Sequence, residues 1–147
     1  MTEWRREGFV VTDDPARVDV DVVHAYLSTE SYWATHRTRA ETAAALAASW
    51  CFSLIDESTG AVVGFARLVT DRVTYAWVAD VFVLSSMQGR GLGVFLMSCV
   101  TDAAKDINRL QLGTRDAHGL YAKFGFTPHS YPERAMERLN RPLAPPP

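Results

Sequence analysis

A chain of 147 residues is about one domain, and at that size folding buries roughly 68–70% of the unfolded surface; with 48% hydrophobic and 22% charged residues it has a globular composition, not a disordered or fibrous one. A net charge of -2 offers no basic field to nucleic acid. The charged start "MTEWRREGFV" has no room for the apolar region of a signal peptide, and no stretch reaches the ~18 apolar residues of a membrane span, so the expectation is a cytoplasmic protein with no membrane or nucleic-acid partner.

In chain order, "GFVVTDD" is the first strand candidate. "DDPARVDVDVVHAYLS" reads as a helix entry, with acidic residues, Pro15 near the first turn, and Val18, Val22, Val23, Tyr26 and Leu27 at helical spacing. "TESYWATHRT" has aromatics without periodicity and reads as a loop, whereas "RAETAAALAAS" is helical by propensity. The period then changes: "WCFSLID" and "AVVGFARLVTD" are β-branched or aromatic runs joined by a short turn at Gly60, a hairpin. "TYAWVADVFVL" follows as the third strand of an antiparallel meander. Next come the helix "GVFLMSCVTDAAK", a short strand "RLQLGT", a helix "AHGLYAKF", a turn at Gly125 and a closing strand through "AMERLN". The expected order is β-α-α-β-β-β-α-β-α-β, an α+β fold in one domain over residues 1–147, with a proline-rich tail from about residue 142 that frays. Cys51 and Cys99 sit inside apolar elements and read as free core thiols. The histidines and cysteines lack the close spacings of zinc sites, so no metal is implied.

The stretch "VFVLSSMQGRGLGVFLMSCV", residues 81–100, runs from a strand into Gly89, Gly91 and Gly93 and then into an apolar helix. The dinucleotide fingerprint G-x-G-x-x-G needs a glycine where Val94 stands, and no Lys-Ser or Lys-Thr pair follows to complete a nucleotide P-loop. A third scheme remains: consecutive backbone N–H groups, continued by the first turn of a helix, cradle a pyrophosphate with the helix dipole behind them. Glycines allow the close approach and the positive φ angles this needs, and Arg90 can add a charge-assisted contact.

"Q-G-R-G-L-G", Gln88 to Gly93, resembles the [Q/R]-x-x-G-x-[G/A] pyrophosphate loop of the GNAT superfamily of acetyl-CoA-dependent N-acetyltransferases. The preceding "DVFVL" and the later "GLYAKFGF" resemble that family's fourth strand and its Tyr-x-x-x-Gly-Phe segment, and the likeness runs from about residue 50 to residue 127. It implies a mixed, mostly antiparallel central sheet flanked by helices on both faces. It also implies acetyl-CoA as cosubstrate, its phosphates held by Gln88, Gly89, Arg90, Gly91, Leu92 and Gly93. The pantetheine arm would lie along the backbone of Val81, Phe82 and Val83, where the family's strands splay. Tyr121 matches the tyrosine that protonates the departing thiolate. Where the family often carries an asparagine against the pantetheine, this chain has Thr114, whose hydroxyl still donates or accepts.

Acetyl transfer requires an amine that has lost its ammonium proton. Asp80, a carboxylate in the apolar run "WVADVFV", is a candidate base by resemblance to amine-acetylating relatives; pairing with an arginine to stabilise the fold is the alternative, and His118 or water are other bases. Tyr32, Trp33 and His36, with Trp77, are candidates for the acceptor wall, since exposed aromatics in a long loop are hard to explain by packing alone. The expected activity is direct transfer of an acetyl group from acetyl-CoA to a primary amine of a small molecule or peptide. The alternative is a non-catalytic module of the same fold that binds CoA to sense or regulate. A homodimer is a further partner expectation.

Overall fold

The chain begins with a hairpin that its sequence pattern does not announce. Strand β1 (Glu3–Arg6) returns as β2 (Phe9–Thr12) through Glu7 and Gly8, both at positive φ, 45° and 87°. That pair of left-handed residues is what a tight two-residue hairpin turn needs. The computed structural model describes residues 1–143; the last four residues of the proline-rich tail, where fraying is expected, lie outside them.

After β2 a short 3-10 turn at Pro15–Arg17 delays the helix, so α1 runs Val20–Thr29 with Asp19 as its N-cap, accepting from the Val22 amide. Helix α2 (Arg39–Ala47) starts with a capping box, the Thr38 hydroxyl accepting from the Glu41 amide while the Glu41 carboxylate accepts from the Thr38 amide. Then come β3 (Trp50–Asp56), β4 (Ala61–Thr70) and β5 (Ala76–Val83), helix α3 (Leu92–Ala103), the two-residue β6 (Leu110–Gln111) and the short helix α4 (His118–Ala122). The six strands lie in sequence order in one sheet, antiparallel except for the parallel β5–β6 pair. Parallel neighbours need a crossover, and α3 is that crossover.

Helices cover both faces, as expected. Phe52, Leu54, Leu68, Ala76 and Val78 meet Leu92, Leu96 and Val100 of α3 on one side. Phe65, Phe82 and Cys51 meet Val23, Leu27 and Leu46 of α1 and α2 on the other. Both cysteines are free and buried, and burial pushes each thiol up to about 11.

The expected closing strand through "AMERLN" is not found: residues 135–140 are irregular and exposed. Met136 is 97% and Leu139 49% exposed, so this segment presents no apolar face that could pack as a strand. Among the described residues no helix is long and apolar enough to cross a membrane.

Two bulges interrupt the ladder, one between Leu54/Ile55 on the β3–β4 pairing and one between Phe65/Arg67 on the β4–β5 pairing. Beside the first, a Cβ on Gly64 would stand 2.8 Å from the Leu54 Cδ2 and 3.0 Å from the Phe82 carbonyl oxygen. Gly64→Ala is therefore expected to lower unfolding free energy by about 1–3 kcal/mol, read from urea melts; an unchanged midpoint would show that the strands part without strain.

Candidate functional site

The glycine junction has the form the cradle needs. Gly89 and Gly91 take φ of 82° and 72°, and Gly91 is the N-cap of α3. A Cβ at Gly89 or Gly93 would meet nothing within 4 Å, so this surface is open. Among the described residues no protein acceptor takes the amides of Gly89 through Val94; the first bonded amide in α3 is that of Phe95, which donates to Gly91 O at 3.1 Å. These are the orphan donors of a helix start, extended backward by a loop.

One member of the expected set departs from it. The Gln88 amide donates to Ser85 O at 3.4 Å, and the Gln88 side chain donates from Nε2 to Val83 O at 3.2 Å. Gln88 thus braces the loop against the end of β5 instead of offering its own amide. Arg90 is exposed. Arg6, at the end of the unforeseen strand β1, donates from Nη1 to Gly91 O at 3.5 Å and stands 6.0 Å from the Phe95 ring centroid, a second cation beside the loop.

The edge of β5 next to this loop is free. β4 pairs with β5 from Ala76 to Val83, but β6 pairs only with Ala76 and Trp77. Beyond Trp77 the main chain of Val81, Phe82 and Val83 therefore has a sheet neighbour on one side only.

Tyr121 sits in α4, half-buried and packed against the α3 side of the core. The Tyr-x-x-x-Gly-Phe segment is a helix stop: Gly125 at φ 85° lets its amide reach Ala122 O at 3.2 Å and the Phe126 amide reach Tyr121 O at 3.3 Å, a Schellman motif. The Tyr121 and Phe126 rings meet edge to face at 6.0 Å, the apolar contact that goes with that motif. The Tyr121 hydroxyl has no hydrogen-bond partner among the described residues. Burial, helped by the neighbouring Tyr32 phenol, pushes its ionisation above the ordinary tyrosine range, so near pH 7 it is a protonated donor. Thr114 spends its oxygen on the Ala117 amide at 3.0 Å, which fixes the entry to α4 and leaves the hydroxyl proton free to donate.

Asp80 lies where the second bulge falls. Ala66 alone on β4 faces Asp80 and Val81 together on β5, and Asp80 takes φ 53°, a left-handed conformation that aspartate tolerates better than most residues. Strict alternation would point Asp80 into the α3-side core with Ala76 and Val78; the extra residue turns it to the other face. There its Oδ1 accepts from Trp33 Nε1 at 2.9 Å, and its Oδ2 from Arg37 Nη1 at 2.9 Å and Arg67 Nε at 2.6 Å. The carboxylate is 1% exposed, against 12% for Arg67 and 23% for Arg37. Burial alone pushes the carboxyl up, but Arg67 and Arg37 together outweigh it and hold Asp80 below the usual aspartate value.

Of the acceptor candidates, Trp33 is the one that touches this carboxylate. Tyr32 meets Trp33 edge to face at 5.1 Å, accepts from the Arg115 amide at 3.2 Å, and lies under the Arg115 guanidinium at 4.2 Å. Trp77 is 40% exposed on the sheet face that carries Arg67. His36 is exposed beside Trp33 and Arg37 on a surface cavity of about 410 Å³, and His118 is exposed at the start of α4. Sequence reasoning missed Arg37 and Arg67. An arginine inside the apolar run "AVVGFARLVT" was the available signal, since a buried charge demands a partner; Arg37, in a loop, gave none.

Residues 20–126 match the acetyltransferase (GNAT) family. The chain belongs to that family. A GNAT-family protein from Xanthomonas campestris pv. campestris is 36% identical, with 92% of this chain and 95% of that one covered and a TM-score of 0.85. An acetyltransferase relative from Gibberella zeae is 29% identical over 140 residues, 82% of this chain and 79% of the relative. Rv2747 from Mycobacterium tuberculosis, solved in complex with CoA and NLQ, shares the fold at 20% identity, covering 80% of this chain and 70% of that one, with a TM-score of 0.64. The family uses acetyl-CoA, and the unbonded amides of this GNAT chain, the open glycine face and the free β5 edge fit that donor.

Replacing Asp80 by Asn leaves two partly buried guanidiniums uncompensated, so Asp80→Asn should lose roughly 3–5 kcal/mol of stability near pH 7. Because the folded carboxyl is depressed, its contribution is complete above the unfolded aspartate value of about 3.9 and vanishes as pH falls through the lower folded value. Urea melts of parent and variant should therefore stay apart above that pH and converge below it; a gap independent of acid would show that the charge is not what stabilises.

Proposed function

We propose that this protein transfers an acetyl group from acetyl-CoA directly to a primary amine of a small molecule or peptide, with no covalent enzyme intermediate. The observation that carries this reading is the run of unbonded amides from Gly89 to Val94 at the start of α3, lying beside the unpaired edge of β5. Bound there, acetyl-CoA supplies an activated acetyl carbon and a thiolate leaving group. The amides of Gly89, Arg90, Gly91, Leu92 and Gly93 hold the diphosphate, with the Arg90 side chain and the helix dipole adding positive charge. The main chain of Val81 and Phe82 receives the pantetheine arm, and Gln88 keeps the Val83 end of the strand in place. Thr114 donates its hydroxyl toward the same arm.

Tyr121 gives its proton to the sulfur as the C–S bond breaks and the sulfur keeps the electron pair, while the new C–N bond forms to the acceptor nitrogen. Tyr32, Trp33, His36 and Trp77 bound the acceptor. The Asp80 carboxylate already accepts three donors and titrates low. It is therefore better suited to holding the acceptor loop than to taking a proton; of the two protons the acceptor ammonium loses, one leaves to water and one restores the Tyr121 phenol.

The test is steady-state release of CoA thiol across an amine panel, paired with calorimetry. Tyr121→Phe should lower kcat about 100-fold or more while acetyl-CoA affinity is retained. Full turnover in that variant removes Tyr121 as the acid; acetyl-CoA binding without transfer to any amine favours a sensor module; no heat with acetyl-CoA sinks the whole reading.

A further inference from the structure

The acceptor side of the cleft has more positive charge than its own partners neutralise. Arg37 and Arg67 share the single carboxylate of Asp80. Arg115, the next cation along, is paired with Asp116 at 3.0 Å, so one unit of positive charge is left over between the two arginines. Their donors are also largely unspent. Arg37 gives one hydrogen bond, to Asp80, and Arg67 gives two, to Asp80 and to the Ser49 hydroxyl at 3.1 Å, while a guanidinium carries more N–H groups than that. Neither side chain is fully closed off, and Arg37 lines the surface cavity beside Trp33 and His36.

The surrounding surface is apolar and uncovered. Val69 and Trp77 pair across β4 and β5 on the same face as Arg67, yet are 45% and 40% exposed, because α1 and α2 cover only the other end of that face. A forked donor set with surplus positive charge, partly desolvated and flanked by indoles, binds planar or tetrahedral oxyanions.

We infer that the acceptor is an anionic amine, a primary amine carrying a carboxylate or phosphate group that sits on the free N–H groups of Arg37 and Arg67. This rests on the transferase reading above and names its substrate class. The surplus positive charge has a second effect in the same direction. It disfavours the ammonium form of a bound acceptor, so it helps the amine lose its proton without a dedicated base.

The experiment compares matched pairs that differ only in the acid group: L-tryptophan with tryptamine, L-phenylalanine with phenethylamine, and O-phosphoethanolamine with ethanolamine, each assayed for thiol release with acetyl-CoA. At least one anionic member should exceed its neutral counterpart in kcat/KM by about tenfold or more, the worth of a charge-assisted hydrogen bond; the amino-acid and phosphate pairs tell which acid group is taken. In Arg37→Gln that ratio should fall toward unity, and Arg37→Lys should restore part of it. The comparison within the parent protein stands even if a variant folds poorly. Neutral amines acetylated as fast as their anionic partners, or no anionic amine accepted at all, overturn the inference. If acetyl-CoA binds and neutral amines are still acetylated, the transferase reading survives that result; if calorimetry shows no acetyl-CoA binding, both fall together.

Discussion

One carboxylate ties together parts of the chain that have little else in common. Asp80 on β5 joins Arg67 on β4 and both Trp33 and Arg37 on the loop between α1 and α2. Apart from the Ser85 hydroxyl donating to the Glu30 carboxylate and the Arg115 amide donating to the Tyr32 hydroxyl, the loop's other bonds are short-range, such as the Ser31 hydroxyl to Leu27 O at 2.6 Å and the Arg37 amide to Ala34 O at 3.2 Å. Such bonds give the loop a shape without fixing where it stands over the sheet. Asp80, with the Tyr32–Arg115 contact, fixes that. A buried ionic group is weak evidence for stability as such, since well-packed apolar residues often do as well. Its use here is geometric, because there is one arrangement in which the single carboxylate takes all three donors.

The β5 bulge underlies both halves of the site. By adding one residue opposite Ala66 it turns Asp80 away from the α3-side core and toward the arginines. Bulges also increase local twist and bend the strand. Pairing with β6 ends at Trp77, just before the bulge, and the strand beyond it has a free edge leading to the glycine loop. A left-handed aspartate is mildly strained, by about 1–3 kcal/mol, and three hydrogen bonds to its carboxylate hold it there.

The sequence showed the fold well where period and burial agree. β2 through β5 and α1 through α3 stand in the order their patterns implied, and the GNAT sheet with helices on both faces followed. β1 escaped because "EWRR" is an exposed edge with one apolar side chain, Trp4, so alternation carries no signal; only the Glu7–Gly8 turn defines it. The strand expected through "AMERLN" is absent for the opposite reason: its apolar residues, Met136 and Leu139, are exposed and nothing packs on them. The glycine loop was legible because its feature is main chain, a run of open amides at positive-φ glycines, and main-chain geometry writes itself locally as glycine spacing. The Asp80 cluster was not, because its members are 13, 43 and 47 residues apart from it and meet only after a bulge that period-two reasoning does not foresee.

That contrast reflects a division of labour between the two sides of the cleft. The donor side needs open amides and an unpaired strand edge, so it depends on where side chains are absent, at Gly89, Gly91 and Gly93, and is indifferent to most of what surrounds it. The acceptor side depends on where side chains are present and charged, and its shape is set by ion pairs made across the sheet. Within that side, Trp33 and Arg37 are held by hydrogen bonds to Asp80. Groups held by other protein groups lose little freedom when they bind, so under the proposed transferase reading it is chemical fit to the guanidinium edges, more than loop closure, that would select among amines.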